Sequence, residues 1–246
     1  MVVFVTGGSR GIGEAIVLAA ARSGHDVAFT YVRREAEALE VARRAAEVRP
    51  GGRYAAYALD VRRAADVEAV GERVLAEFGS VGMVVSNAGI NANNLVVSMS
   101  DEEWLSVIEV NLNGAFYVAR QFLPSFLANR FGRFLFVSSL GATGVSGQAN
   151  YCASKAGLLG LSASLAKEYG RKGITSNVVS PGFFDTDMTR GDMSESNREF
   201  WLRWCPLGRV GHAPEVAELV IFLASPAGSF INGEEIRVNG GLGWAP

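Results

Sequence analysis

Short apolar runs alternate with longer helix-compatible stretches along this chain, and glycine-rich turns separate them. Val2–Val5 is β-rich and passes directly into Thr6-Gly7-Gly8-Ser9-Arg10-Gly11-Ile12-Gly13, after which Glu14–Arg22 has helical spacing. Asp26–Tyr31 reads as a second strand, and Glu35–Val48 as a helix rich in Ala and Glu that Pro50-Gly51-Gly52 ends. Arg53–Leu59 alternates as a third strand, Ala64–Phe78 is helical, and Met83–Ser86 forms a fourth strand. Three successive strand–helix alternations argue for a parallel, doubly wound α/β sheet. Asp101–Asn129 reads as one long helical region, with Ser100 as its N-cap and Glu103 as the capping-box partner. Arg133–Val137 is a fifth strand, Ala153–Lys167 a helix-compatible run, and Ile174–Ser180 a sixth strand.

Composition narrows the class. At 246 residues and 49% hydrophobic, the chain fits one α/β domain over 1–246, since such domains reach ~250 residues. Net charge is −2 with no basic block, which argues against a nucleic-acid partner, because that binding rests on clustered Lys and Arg. Met1–Val5 leaves no room for a secretory signal, and no apolar run reaches the ~18 residues of a membrane span. Cys152 and Cys205 are too few for a disulfide framework and fit a reducing cytoplasm. His25 and His212 lack metal-ligand spacing, so no metal is expected.

Candidate chemistry begins with Tyr151 and Lys155. Four apart on a helix they share one face, with Cβ atoms roughly 5–6 Å apart. A phenol titrates near ~10, and a neighbouring positive charge favours its ionised form, so such a Tyr can exchange a proton nearer neutral pH. A core tyrosine beside a surface lysine has the same spacing, so the surroundings decide. The glycine turn sits between a strand and a helix, where glycines let the backbone approach a pyrophosphate and the helix end offers free N–H groups; an ordinary βα turn is the plainer reading. After the second strand comes Thr30-Tyr31-Val32-Arg33-Arg34, without the acidic residue that an NAD ribose contact would use. Arg33 and Arg34, with Arg10, could bond a 2′-phosphate, which favours NADPH unless these arginines are simply solvated. Asn111-Leu112-Asn113-Gly114 places poor helix formers inside an apolar helix, which marks either a functional distortion or a plain kink.

The G-x-x-x-G-x-G spacing of the turn, Asn87-Ala88-Gly89 after the fourth strand, Asn111, a serine after the fifth strand, and Tyr151 with Lys155, all in this order, resemble the short-chain dehydrogenase/reductase family over residues 2–242. Within it, Gly147-Gln148-Ala149-Asn150-Tyr151, Pro206-Leu207-Gly208-Arg209 and Asn239-Gly240-Gly241 are most similar to the 3-oxoacyl-[acyl-carrier-protein] reductases. Ser86 departs from the pattern, since many relatives have Asn there. The resemblance implies a Rossmann fold with seven parallel strands and helices on both faces. For the cofactor it implies contacts from Gly7, Ser9, Arg10, Gly11, Ile12, Gly13, Tyr31, Arg33, Arg34, Asp60, Val61, Asn87, Ala88, Gly89, Pro181, Gly182, Phe184 and Thr186, as well as from Tyr151 and Lys155. Asp60 would touch the adenine, the Asn87 turn the adenosine side, Pro181-Gly182 the carboxamide and Thr186 a phosphate.

The implied chemistry is reduction of a 3-oxoacyl thioester by NADPH. Tyr151 would donate the proton, a serine would hydrogen-bond the carbonyl oxygen, Lys155 would acidify Tyr151 and bind the nicotinamide ribose, and Asn111 would bend its helix and hold a water linked to Lys155. Counting back from Tyr151 selects Ser138; counting forward from Asn111 and the strand selects Ser139, which is preferred because loops absorb deletions more readily than strands. The resemblance also implies acyl carrier protein held at the rim by Arg130 and Lys172, with Arg171 beside it. It further implies a homotetramer built from the helices around Asn111 and Tyr151 and from the C-terminal strand, with Leu242–Pro246 suited to an interface. Residues 187–205 are expected as a substrate lid. Its Phe200, Trp201 and Trp204 suit either packing at the domain or an interface, or a pocket for a flat, unsaturated or aromatic acyl chain of polyketide type. Two alternatives stand beside this reading: an NADP-dependent dehydrogenase of free secondary alcohols or ketones, and a non-catalytic NADP(H) sensor, against which the intact set of four residues speaks.

Overall fold

Every run read as a strand is one in the computed structural model, which describes residues 1–185 and 195–244. In chain order the main elements are β1 (Val2–Val5), α1 (Gly11–Arg22), β2 (Asp26–Tyr31), α2 (Glu35–Val48), β3 (Tyr54–Ala58), α3 (Ala64–Phe78), β4 (Met83–Ser86), α4 (Asp101–Ile108), a π turn (Glu109–Asn113), α5 (Gly114–Asn129), β5 (Gly132–Val137), α6 (Ala149–Tyr169), β6 (Ile174–Pro181), α7 (Glu195–Trp204), α8 (Ala213–Ala224) and β7 (Glu235–Val238). The strands form one seven-stranded sheet in the order β3-β2-β1-β4-β5-β6-β7, with every neighbouring pair parallel. This is a single-domain Rossmann-type fold.

The uninterrupted apolar runs of β1, β4 and β5 follow from burial on both faces of a parallel sheet. Successive side chains point to opposite sides. Val3 and Val5 pack with Ile16, Val17, Val216 and Val220 from α1 and α8, whereas Phe4 joins Val118, Phe122 and Phe134 on the face covered by α3, α5 and α6. Ring pairs such as Phe4–Phe122 and Phe126–Phe134, each 4.7 Å between centroids, join the second helical layer to the sheet.

Helix boundaries differ from the expected ones where glycine or asparagine interrupts the pattern. α1 begins at Gly11, so Gly11-Ile12-Gly13 forms its first turn. The long helix from Asp101 holds its capping box, with Glu103 N donating to Ser100 Oγ at 3.1 Å and Ser100 N donating to the Glu103 carboxylate at 2.8 Å. It is broken at Glu109–Asn113 by the π turn, where Gly114 N donates to Glu109 O. Gly114 follows because a Cβ there would lie 2.7 Å from Val61 Cγ2, so only glycine lets α5 approach the end of β3 this closely. α6 begins at Ala149, which puts Tyr151 inside its first turn. Among the described residues, no helix is long and apolar enough to cross a membrane.

Candidate active site

The strand order reverses beside β1, with β2 on one side and β4 on the other, and a crevice opens there at the carboxyl ends of the strands. Its floor is the turn between β1 and α1. Asn87 Nδ2 donates to the carbonyls of Thr6 and Gly7, both at 3.0 Å, and Thr6 Oγ1 accepts from Asn87 N and Ala88 N, also at 3.0 Å. The Asn87-Ala88-Gly89 turn is thereby fastened to the glycine turn. Gly7 has φ +67, and a Cβ on Gly13 would lie 2.1 Å from Gly7 O, so these glycines let the turn fold back over the start of α1. Backbone N–H groups and the positive end of α1 thus face the crevice, a cradle suited to a pyrophosphate. Ser9 is buried in that turn and Arg10 is exposed at its edge.

Four predicted residues converge at the ends of β5 and α6. Lys155 is buried, and its Nζ donates to Val137 O at 2.8 Å while standing 5.7 Å from the Tyr151 ring centroid. The Ser139 hydroxyl accepts from Gly141 N at 3.0 Å and lies on the Tyr151 side of that glycine, where a Cβ would stand 3.4 Å from both Ser139 Oγ and the edge of the Tyr151 ring. Ser138 points elsewhere: its hydroxyl donates to Lys155 O at 2.9 Å and fastens α6 to β5. Position alone therefore separates the two serines, and Ser139 is the one facing Tyr151. Asn111, buried in the π turn, accepts from Ile90 N at 2.8 Å and donates to Ile90 O and Ser154 Oγ, both at 3.0 Å. Ser154 in turn donates to Tyr151 O at 2.7 Å. Sequence reasoning missed Thr6 and Ser154, small hydroxyls whose partners lie in distant segments. A Cβ on Gly89 would lie 3.3 Å from both Asn111 Oδ1 and Lys155 Nζ, so these two groups meet across that glycine.

A family model described as Enoyl-(Acyl carrier protein) reductase matches residues 7–243. The chain is 43% identical over 242 residues to 3-oxoacyl-[acyl-carrier-protein] reductase FabG of Escherichia coli (strain K12), covering 98% of this chain and 96% of that protein. It is 42% identical over 244 residues to the FabG of Pseudomonas aeruginosa, with 98% and 96% covered, and 41% identical over 240 residues to that of Staphylococcus aureus (strain Mu50), with 97% and 96% covered. The chain belongs to the short-chain dehydrogenase/reductase family. As a member of it, the protein is an oxidoreductase with a site for a nicotinamide cofactor, and the crevice fits that group.

Electrostatics at the short-chain dehydrogenase/reductase site differ from the sequence expectation. Burial pushes the Tyr151 phenol up, with the Ser139 hydrogen bond opposing, and pushes Lys155 down to about 8. Helical spacing puts the two on one face but says nothing about desolvation. The ammonium is aimed at Val137 O, and among the described residues no carboxylate forms an ion pair with it. The stability consequence has a definite sign. Below pH 8 the folded state carries a buried cation; between about 8 and 10.5 the folded lysine is neutral while the unfolded one still holds its proton, so this penalty fades as pH rises. Lys155→Met is therefore expected to abolish turnover yet stabilise the fold by about 1–2 kcal/mol at pH 7, a few degrees in melting temperature. Melting curves at pH 7 and pH 10 check this: the gain should shrink at the higher pH, and a variant melting below wild type at pH 7 would contradict it.

Beyond β3, Asp60 is held by Arg62, whose side chain and backbone N–H groups donate to it at 2.5–3.1 Å and keep the carboxyl below its usual range. Val61 is buried against Gly114. The Tyr31 hydroxyl donates to Glu35 at 3.0 Å, an acid that the sequence reading passed over because it lies beyond the strand. Arg33 is exposed, and Arg34 pairs with Glu37 at 3.4 Å. At the other end, Gly182 N donates to Val238 O at 2.8 Å, which seats Pro181-Gly182 over β7, and Phe184 is buried against Gly211. Thr186 and residues 187–194 of the expected lid lie outside the described residues. In α7, Phe200 meets Trp201 and Trp204 edge-on, with centroids at 5.8 and 6.4 Å. Phe200 and Trp204 are exposed, so neither is core of this chain.

Arg130 and Lys172 are not brought to the rim. Arg130 precedes β5 and Lys172 precedes β6, so both stand at the amino-terminal edge of the sheet, while Ser139 and Tyr151 stand at the carboxyl edge. The six residues of β5 put about 20 Å between the two edges. Counting basic residues along a sequence does not reveal which end of a strand they occupy.

Proposed function

We propose that this enzyme reduces the 3-oxo group of an acyl chain carried as a thioester on acyl carrier protein, giving the 3-hydroxyacyl thioester. The Ser139–Tyr151 pair supports this most directly: two hydroxyl-bearing side chains brought together across Gly141, ahead of a buried lysine, suit a carbonyl oxygen on which negative charge develops. The relatives named above carry that activity in their names over nearly the whole chain, whereas the family description names enoyl reduction. A pair of oxygen-directed donors favours the ketone.

When bound, the nicotinamide supplies the hydride that adds to the carbonyl carbon. Ser139 hydrogen-bonds the carbonyl oxygen and Tyr151 donates its proton there as the C–O double bond opens to an alcohol. Lys155, whose burial brings its titration down to about 8, holds the ribose and returns a proton to Tyr151. Asn111 meets Lys155 across Gly89, and the water-linked route to solvent is assigned to its π turn, a distortion that recurs at functional sites. NADPH is the assigned cofactor: Arg33 and Arg34 follow β2 directly, Arg10 lies in the turn whose Gly7 and Gly8 donate to Thr30 of β2, and Glu35 is engaged by Tyr31. A cytoplasmic setting fits the free, buried Cys152 and Cys205.

A homotetramer is supported by the apolar side chains Trp104, Leu105 and Phe116, exposed on α4 and α5 and suited to cover by further copies. It also gives Arg130 and Lys172 a role. A carrier docked on them stands at the wrong end of its own subunit and serves the Tyr151 of a neighbouring copy. Charge reversal, Arg130→Glu, is expected to raise KM about tenfold for a carrier-bound substrate at low salt and to leave a small thioester analogue unaffected. Equal effects on both substrates, or none on either, would remove the carrier from this surface.

A further inference from the structure

Asn150, the residue before Tyr151, is fully buried and its carboxamide joins three segments. Its Nδ2 donates to Ala92 O in the loop after β4 and to Glu103 O in α4, both at 3.0 Å, and its Oδ1 accepts from Tyr151 N at 2.7 Å. Both amide hydrogens are used. Tyr151 N lies in the first turn of α6, where a backbone donor has no partner within the helix, and the neighbouring side chain supplies one. Farther out the same segments are tied again: Asn94 N donates to Gly147 O at 2.9 Å, and Asn94 Nδ2 donates to Glu103 at 3.2 Å. Inward, Ile90 is held by Asn111. Hydrogen bonds on either side of the short chain segment Ile90–Ala92 therefore tie Asn111, that segment, Asn150 and the backbone of Tyr151 together.

We propose that Asn150 is a positioning residue for proton transfer: it fixes the first turn of α6 against the loop after β4 and against α4, which keeps the Tyr151 side chain beside Ser139. This rests on Tyr151 as the proton donor. Asn150→Ala removes the Asn150 bond from Tyr151 N, Ala92 O and Glu103 O together, leaving Glu103 O its bond from Ser106 Oγ. Since a misplacement of about 1 Å can cost about 10²-fold in rate, kcat is expected to fall about 30- to 100-fold, with NADPH dissociation within about twofold of wild type.

Asn150→Asp supplies a readout that mere scaffolding does not move. Its carboxyl keeps the acceptor for Tyr151 N, but when ionised it confronts the carbonyls of Ala92 and Glu103; when protonated it bonds one of them. Burial raises its titration, so relative activity should fall with rising pH through a limb absent from wild type and from Asn150→Ala. The titratable groups around it, the Glu103 side chain on α4 and Tyr151, Cys152 and Lys155 on α6, are common to all forms and cancel in that comparison. The experiment measures kcat from pH 5.5 to 9, NADPH dissociation by fluorescence and melting temperature for wild type, both Asn150 variants and Tyr151→Phe. A folded Asn150→Ala with wild-type kcat, or a matching loss of NADPH affinity, overturns the proposal; if that variant does not fold, an Asn150→Asp profile parallel to wild type overturns it. An active Tyr151→Phe instead removes the proton-donor reading, whereas an inactive Tyr151→Phe beside unimpaired Asn150 variants removes Asn150 alone.

Discussion

Replacing Tyr151 by Phe is expected to lower kcat by about 10³-fold while leaving NADPH dissociation within about threefold of wild type. The substitution deletes one oxygen. The ring keeps its place in the first turn of α6, and the fastenings that position it run through backbone atoms, Tyr151 N to Asn150 and Tyr151 O from Ser154. What disappears is the hydroxyl beside Ser139 and the proton it delivers to the developing alkoxide. Ser139 and Lys155 remain, so residual turnover over the uncatalysed background should persist. Single-turnover rates and fluorescence titration with NADPH separate the two effects. Near-normal kcat would assign the proton donor elsewhere; a large loss of NADPH affinity would make Tyr151 a binding residue first.

Gly13→Val is expected to weaken dinucleotide binding by at least about 100-fold and to destabilise the fold by about 1–3 kcal/mol. A Cβ at this position lies 2.1 Å from Gly7 O and 2.6 Å from Asn87 Nδ2, so the turn itself has to move. Moving it breaks the pair of hydrogen bonds by which Asn87 fastens Thr6 and Gly7, and swings the first N–H groups of α1 out of line with the crevice. Titration with NADPH well below the melting temperature isolates the binding loss from unfolding. Unchanged affinity in a folded variant would mean that the pyrophosphate does not lie over this turn.

Much of the fold was legible because its strands are apolar runs bounded by glycine turns, and burial on both faces makes such runs continuous. The glycine turn, Asn111, Tyr151 and Lys155 could be picked out because their residue types and their order match the family's pattern. What the sequence hid depends on contacts between distant segments. Loop counting left Ser138 and Ser139 open, and only the direction of each hydroxyl separates them. Asn-x-Asn-Gly marked a distortion in the long helix without revealing a π turn, and the reason for Gly114 lies in Val61, more than fifty residues earlier. The pull of burial on Tyr151 and Lys155 opposes the effect that helical spacing alone implies. Arg130 and Lys172 were visible as basic residues, but their place at the far edge of the sheet follows from the direction of β5 and β6.

The reaction itself offers the most direct test. The loss of NADPH absorbance, followed with an acetoacetyl group offered on acyl carrier protein and separately as a small free thioester, measures it in one experiment, with NADH and a simple secondary alcohol plus NADP+ as comparisons. A strong preference in kcat/KM for the carrier-bound 3-oxoacyl substrate with NADPH is the predicted result. Activity confined to free alcohols or ketones, or equal for carrier-bound and free substrates, would contradict it and make the protein a general short-chain alcohol dehydrogenase.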